Sequence, residues 1–452
     1  MGVVSQASKL SLPNPSLPSS PPNTKSVLFE PNSLSLALLH SDSSLSLYPS
    51  LSLLSLTSLP PNPQTLVPPP SSSSTFLLLN SNSSPNPRII FIVVGPHRSG
   101  AQILLRFYLL QKSNNFAKAQ VFCSQKGLQF DQNLGVLLDV NHGASIKLVG
   151  SVNFFAMYSF SNSKIWVFAV KSMDDDDDGS RVKLMRCAVI ECCKPIWSMS
   201  LSSGFLIFGE ENGVRVLNFR NLIKGKVKRV KNFDLNGKYE TKILGLPNGI
   251  IGDGVLNGSN KEIFCNDYLD GKIDKHSVSV KQKSVKYRQD SSEGGSCFVA
   301  LKSSKSTIMP MMSLKAISVQ AVSSKRFLIL DSAGDLHVLH LSNSIPGANI
   351  TGHIRQLPHN MNVQKLAVLP DVSSRTQTIW ITDGYHSVHM LAASEMDTAV
   401  NENGRNEIVE KLTDFSVAEA IFTSEKIQDV VPLASNGILI LGQGNLYAYA
   451  NS

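Results

Sequence analysis

The sequence predicts an all-β protein in which one antiparallel unit recurs around a ring, the arrangement called a β-propeller. Short apolar runs alternate with turns rich in Ser, Gly and Asp, which is typical of strands joined by hairpins. Units of three or four such strands recur about every 40 residues. Few windows keep a helical period. Because a single unit cannot bury both of its apolar faces, neighbouring units must stack around an axis.

The clearest unit is the segment ISVQAVSSKRFLILDSAGDLHVLHL, residues 317–341. Turns at 323–325 and 332–335 divide it into three strands. Residues 196–219 and 430–450 have the same shape. The copies at 196–219 and 317–341 end about 120 residues apart, which corresponds to three repeats of about 40 residues.

Strands are predicted along nearly the whole chain from residue 26 onward. In addition to the strands of residues 317–341, they are at 26–30, 36–40, 45–48, 75–79, 88–94, 103–110, 121–122, 135–139, 146–149, 154–158, 164–170, 185–190, 196–201, 204–208, 214–218, 243–246, 277–280, 297–301, 363–369, 378–382, 387–391, 418–422, 429–432, 437–441 and 445–450. The windows 104–112 and 406–415 also fit short helices.

The domain organisation follows from composition and length. Residues 1–25 are rich in Ser and Pro and predict a disordered tail. Residues 26–450 are long enough for seven propeller blades, and six or eight also fit. Residues 221–290 form an irregular, basic insertion. We expect an N-terminal strand to complete the last blade, or the reverse; two β-sandwiches divided near residue 225 are the alternative fold.

The repeated units resemble WD40-type repeats in degenerate form. One copy has Gly352-His353 and, further on, the segment IWITDG with Trp380 and Asp383, where a family repeat has its Gly-His and Trp-Asp pairs. The Trp-Asp dipeptide itself does not occur in the sequence. The resemblance covers most of residues 26–450. It implies a propeller whose loops dock other proteins, and it says little about a particular function.

The composition excludes several classes of protein. Hydrophobic residues make up 42% of the 452 residues and charged residues only 17%, which permits a sizeable core under a surface rich in hydroxyl groups. No window of 18 apolar residues occurs, so we expect no membrane insertion. The six cysteines form neither a CxxC motif nor a zinc-type spacing, and we expect reduced, unpaired thiols.

The sharpest local feature is the basic segment KGKVKRVK, residues 224–231. The residues predicted to bind a partner are its cations: Lys224, Lys226, Lys228, Arg229 and Lys231. They could form a nuclear localisation signal or a patch for nucleic acid or an acidic protein, and the alternative is a solvated loop between blades. No aromatic residue is interleaved, so stacking on single-stranded nucleic acid is not indicated.

No catalytic, metal or cofactor site is predicted. His337 and His340 are three apart in a strand, so they point to opposite faces and cannot chelate one metal. The loop at residues 95–100 lacks the Gly-Lys-Ser/Thr of a phosphate-binding loop. The five aspartates at 174–178 repel one another and predict a solvated loop.

We therefore expect a non-enzymatic scaffold or adaptor that binds other proteins in an intracellular complex, in the nucleus or the cytoplasm. A propeller that binds nucleic acid through its basic loops is one alternative. An enzyme with an active site in the propeller channel is the other. A plastid location is also open, and no small-molecule substrate is evident.

Overall fold

The structure is a computed structural model, and it describes residues 3–6, 8–10, 23–51, 64–81, 84–173, 181–224, 284–290, 295–301, 313–342, 350–357, 361–369, 376–395, 413–434 and 437–450. The strands of these residues form seven sheets, the blades of one β-propeller. The predicted all-β, seven-bladed architecture is confirmed. Within the described part of the chain, no helix is long and apolar enough to cross a membrane.

The first strands of the chain, β1 (Val3–Gln6) and β2 (Ser8–Leu10), belong to the last two blades. Blade 1 contains β3 (Thr24–Glu30), β4 (Ser35–His40), β5 (Leu45–Tyr48) and β6 (Thr65–Val67). Blade 2 contains β7 (Ser73–Ser81), β8 (Ser84–His97), a 3-10 turn (Arg98–Gly100), β9 (Gln102–Leu110), β10 (Phe116–Lys118), β12 (Leu128–Asp131) and β13 (Gly135–Leu138). The strand between β10 and β12, β11 (Gln120–Phe122), belongs to blade 3. Blade 3 contains β14 (Ile146–Gly150), β15 (Phe154–Ser159), β16 (Lys164–Ser172) and β17 (Arg181–Glu191).

The second half of the ring is built in the same way. Blade 4 contains β18 (Ser198–Ser202), β19 (Phe205–Glu210), β20 (Gly213–Asn218) and β22 (Ser296–Ala300). Between β20 and β22 the chain forms the helix α1 (Phe219–Lys224) and then β21 (Val285–Arg288), which joins the edge of blade 3. Blade 5 contains β23 (Ala316–Ala321), β24 (Arg326–Asp331), β25 (Leu336–Ser342) and β26 (Thr351–Gln356). Blade 6 contains β27 (Lys365–Val368), β28 (Thr376–Thr382), β29 (Ser387–Glu395) and β30 (Thr413–Phe422), and blade 7 contains β31 (Asp429–Ala434), β32 (Gly437–Leu441) and β33 (Leu446–Ala450).

The hydrophobic core lies between blades rather than within them. Each pair of neighbouring blades shares one cluster of buried apolar side chains. The cluster between blades 7 and 1 packs Val27 and Leu38 against Leu439 and Leu441. Each fully buried side chain of this kind stabilises the fold by about 2 kcal/mol, so the ring closes by the same packing that joins its other blades.

Polar side chains also join the innermost strands of successive blades. Gln320 of blade 5 donates to Leu366 O at 2.6 Å and accepts from Val368 N at 2.8 Å, which ties it to blade 6. At the closure of the ring, Asp429 Oδ2 accepts from Val27 N at 3.2 Å. These bonds fix the strands that surround the central channel.

The expected completion of the last blade by an N-terminal strand is present, but the strand differs from the one at residues 26–30. Strand β2 pairs antiparallel with β33, and β1 pairs parallel with β30. Residues 26–30 lie instead in β3, at the inner end of blade 1. The prediction of a disordered tail over residues 1–25 therefore needs correction at β1 and β2, which satisfy the backbone groups of two outer strands; residues 11–22 lie outside the described residues.

Several further predictions differ from the structure or lie outside the described residues. The helix allowed at 104–112 is wrong, because β9 is buried along most of its length between β8 and β13. Of the window 406–415, residues 413–415 begin β30 and the rest lie outside the described residues. Gly352-His353 lies in β26, an outer strand that sequence analysis did not find, and Trp380 lies in β28. The strands predicted at 243–246 and 277–280 lie outside the described residues.

Candidate interaction surface

The two sides of the ring differ in the connections that they carry. Because strands alternate in direction, the turns between second and third strands emerge on the same side as the links from one blade to the next. We call this side the turn face. Every innermost strand begins at the turn face, so the mouth of the channel on this side is lined by those strand starts.

A cavity of about 1170 Å³ opens on the turn face between blades 5 and 6, and we call it the blade 5–6 groove. Its apolar lining includes Leu336, Leu357, Ile381, Leu391 and Val417. Its polar lining includes Lys365, Asp383, Tyr385, His389 and Lys426. An apolar floor with a polar rim is the usual composition of a surface that docks another molecule.

Val417 is exposed in this groove because of an irregularity in blade 6. A β-bulge between Met390 and Leu391 shifts the pairing of β29 with β30, so that Leu391 lies opposite Val417. Leu391 packs into the core between blades 5 and 6. Val417, which lies opposite Leu391 on the neighbouring strand, faces the same side of the sheet and remains 53% exposed. The groove therefore continues the core outward as an apolar surface.

Tyr385 projects from an ordered turn at the rim of the groove. Its backbone N donates to Asp383 Oδ1 at 2.9 Å, and its carbonyl accepts from Ile427 N at 2.8 Å. The side chain is 61% exposed, and Lys426 Nζ lies 5.4 Å from the ring centroid. The bonds on both sides of Tyr385 hold its backbone, so an aromatic side chain is presented to solvent at little cost in conformational entropy.

The charges at the rim nearly cancel. Lys365 Nζ lies 3.2 Å from Asp429 Oδ1. Asp383 is the acidic residue whose charge acts on His389. Burial lowers the pKa of His389, although Asp383 acts in the opposite direction. His389 is therefore neutral near pH 7, and the groove suits an amphipathic segment rather than a highly charged one.

Of the five predicted partner-binding residues, the structure describes one. Lys224 is the last residue of α1, which follows β20 on the side of the ring opposite to the turn face. Lys226, Lys228, Arg229 and Lys231 lie outside the described residues. The blade 5–6 groove is thus a different surface from the one that the basic segment predicts.

The other residues singled out by sequence analysis have structural surroundings. His337 is buried, and its Nε2 lies 2.8 Å from Asp331 Oδ2. A Cβ atom on Gly95 would lie 2.2 Å from Pro70 O, so close packing accounts for that glycine. The described part of the chain holds no cluster of three or more potential metal ligands. The aspartates at 174–178 lie outside the described residues.

The described cysteines are unpaired. Burial raises the pKa of Cys187 to about 11 and that of Cys192 to about 12. Cys193 is exposed, whereas its neighbour Cys192 packs against the core between blades 3 and 4. Buried thiols of this kind stay protonated and unreactive. Cys265 lies outside the described residues.

The groove is not evident from the sequence, because its lining comes from links and strands that are distant in sequence. A turn aromatic such as Tyr385, placed between two strand runs, was the one indication available in the sequence. Its meaning depends on Val417, 32 positions later, and on a bulge that the sequence pattern does not reveal.

No protein-family model and no curated protein matches the chain. Among solved structures, the β-propeller domain of Cps50 (Swd1) from Myceliophteria thermophila is similar over 95% of this chain and 97% of its own, with 8% identity and a TM-score of 0.46. The RRP9 WD40 repeats are similar over 98% and 99%, with 8% identity and a TM-score of 0.42. U3-55K is similar over 95% and 96%, with 7% identity and a TM-score of 0.42.

Proposed function

We propose that this propeller is a non-enzymatic scaffold whose blade 5–6 groove docks an amphipathic segment of a protein partner. The observation that carries the proposal is the exposure of Tyr385 and Val417 beside a cavity with an apolar floor. Aromatic side chains held in place beforehand are the residues that contribute most to the energy of protein interfaces. A near-neutral rim with Lys426 and Asp383 supports a segment that offers apolar side chains first and a few polar groups at its edges.

We further propose that the scaffold acts in an intracellular complex, with the nucleus as its main location. The support for this location is the basic segment at residues 224–231, which has the composition of a nuclear localisation signal. Replacing Lys226, Lys228, Arg229 and Lys231 by Ala in a fluorescent fusion should move the protein out of the nucleus. An unchanged distribution would reject the signal.

The docking proposal is tested by purifying the tagged full-length chain and its variants from cells. Tyr385→Ala combined with Val417→Asp should lose a protein that the wild type retains, because it removes the aromatic anchor and charges the apolar floor. The matched control is Phe160→Ala, which removes an exposed aromatic from the corresponding turn of blade 3, where Phe160 is 44% exposed.

The outcome is decided by comparing the three samples quantitatively. Partners that fall at least about tenfold in the groove variant and persist in the Phe160→Ala control support the groove. Identical partner sets in all three samples would reject the groove as a docking site. Circular dichroism of each variant checks that the fold is retained.

A further inference from the structure

The mouth of the central channel on the turn face has an unusual distribution of charge. Four of the seven blades place a lysine at or beside the start of the innermost strand: Lys25, Lys147, Lys315 and Lys365. Among the described residues at these strand starts, the acidic one is Asp429 of blade 7. The strand starts on this side thus carry four lysines and one aspartate, an excess of positive charge.

The best-defined part of this ring lies on blades 3, 4 and 5, around Trp197. Lys147 Nζ of blade 3 donates to the carbonyl oxygen of Trp197, which precedes the innermost strand of blade 4. Lys315 Nζ of blade 5 lies 4.2 Å from the centroid of the Trp197 ring. The backbone carbonyl of Trp197 thus holds the ammonium group of Lys147, and its indole ring holds that of Lys315 from a different blade. We call these three residues the lysine clamp.

The two ammonium groups of the clamp lack a carboxylate partner among the described residues. By contrast, Lys365 is paired with Asp429 at 3.2 Å. Burial lowers the pKa of Lys147. The backbone of Glu211 bridges to Lys315, yet its carboxylate forms no described ion pair. Partly buried cations without counter-ions are costly, so an anionic ligand would stabilise them.

A third group at the clamp also lacks a partner. The Nε1–H of Trp197 is buried and has no acceptor among the described residues. Buried donors of this kind are nearly always satisfied in native proteins. An oxyanion that reached this indole nitrogen would supply the missing acceptor.

We propose that the lysine clamp at the channel mouth binds an acidic segment of a protein partner through its carboxylates. The proposal rests on the proposed scaffold function and assigns a second, electrostatic contact to it. Ammonium groups that act as separate point charges match separate carboxylates. The face of Trp197 over which Lys315 lies is not open to a nucleobase, which favours an acidic protein over single-stranded nucleic acid.

The purified full-length chain offers a direct optical test. Trp166 and Trp380 are only 3% and 0% exposed, whereas Trp197 is partly accessible, so a ligand at the clamp should change mainly the fluorescence of Trp197. A peptide of consecutive aspartates is the probe. We expect a saturable fluorescence change that weakens with added salt and is absent in Trp197→Phe.

Lysine variants identify the site. Lys147→Met combined with Lys315→Met should weaken binding of the aspartate peptide at least about tenfold, because two charge-assisted contacts are lost. The matched control is Lys183→Met, which removes an exposed lysine of the same charge from the outer strand β17. If the double variant does not fold, Lys315→Met alone should still weaken binding and Lys147→Arg should retain it.

Three results would overturn the proposal: equal peptide affinity in the double variant and the wild type, an equal loss in Lys183→Met, or tighter binding of a single-stranded oligonucleotide than of the peptide at the same salt. Tyr385→Ala should leave peptide binding unchanged. Failure at the clamp is thereby separated from failure of the blade 5–6 groove, which is judged by partner recovery from cells.

Discussion

The turns between the second and third strands of blades 5 and 6 occupy equivalent positions but place their acidic residues differently. In blade 5, strand β24 ends at Asp331, which is fully buried and accepts from Ala333 N at 2.9 Å and from Asp335 N at 3.0 Å, besides its contact with His337. In blade 6, strand β28 ends at Thr382, and the acidic residue is the next one, Asp383, at the rim of the groove. The turn of blade 5 thus buries its carboxylate, whereas the equivalent turn of blade 6 exposes Tyr385 at the rim of the groove.

Blade 4 shows that the buried arrangement is not peculiar to blade 5. Strand β19 ends at Glu210, which is fully buried, and Arg215 Nε lies 2.6 Å from Glu210 Oε1. In both blades a carboxylate at the end of the second strand binds a cation or histidine of the third strand. Blade 6 has the hydroxyl of Thr382 at this position, and its turn carries exposed side chains such as Tyr385.

The largest effect is expected from Asp331→Ala. This variant leaves the buried His337 imidazole and two backbone N–H groups of the turn without their acceptor, which should lower the free energy of unfolding by about 3 kcal/mol. Asp383→Ala in blade 6 should change it by less than about 0.5 kcal/mol, as expected of a rim residue. Urea denaturation of both variants measures the difference, and equal losses would contradict the assignment of the two turns.

The stability that Asp331 contributes depends on pH. Burial raises the pKa of Asp331, but the hydrogen bonds from His337 and from the backbone outweigh this effect and hold the pKa below its ordinary value. A lowered folded-state pKa contributes stability above the unfolded value of about 3.9, and this stability is lost as the pH falls through the folded pKa.

The difference in unfolding free energy between wild type and Asp331→Asn should therefore be constant above about pH 5 and shrink below about pH 4. For Asp383→Asn we expect a much smaller difference from wild type over the same range. Denaturation at a series of pH values gives both curves. A wild-type advantage over Asp331→Asn that stayed constant down to about pH 2 would show that ionisation of Asp331 does not stabilise the fold.

The sequence predicts this architecture because the fold depends on local patterns that repeat. The segment of residues 317–341 already contains the three strands and both turns of blade 5, including the buried strand end at Asp331. The partner of His337 was not evident, because Asp331 and Asp335 both lie near it in the sequence and the bond is made by Asp331. Which of two nearby aspartates turns inward depends on strand register, and hairpin spacing leaves this undecided by a residue or two.

The candidate sites depend on features that no local pattern contains. Lys147, Trp197 and Lys315 are each ordinary residues near a strand start, and only the ring brings them together across three blades. The outer strand β26 was missed, although its Gly352-His353 pair was matched to a family motif. Completion of the last blade by an N-terminal strand was expected, but the short segment that provides it, β2, has too few apolar residues to stand out from the serine-rich tail.

A smaller loss of stability than that of Asp331→Ala is expected from Thr382→Val, and it sharpens the contrast between the two turns. Thr382 Oγ1 donates to Ser387 O at 2.7 Å and accepts from Gly384 N at 3.1 Å. Valine keeps the shape but removes both bonds, so we expect a loss of about 1–2 kcal/mol, well below that of Asp331→Ala. Thr382→Ser retains the hydroxyl and should recover most of this loss. Because the two bonds shape the turn that carries Tyr385, Thr382→Val should also weaken recovery of any partner bound by the blade 5–6 groove. Full recovery of that partner alongside the loss of stability would mean that docking does not depend on the order of this turn.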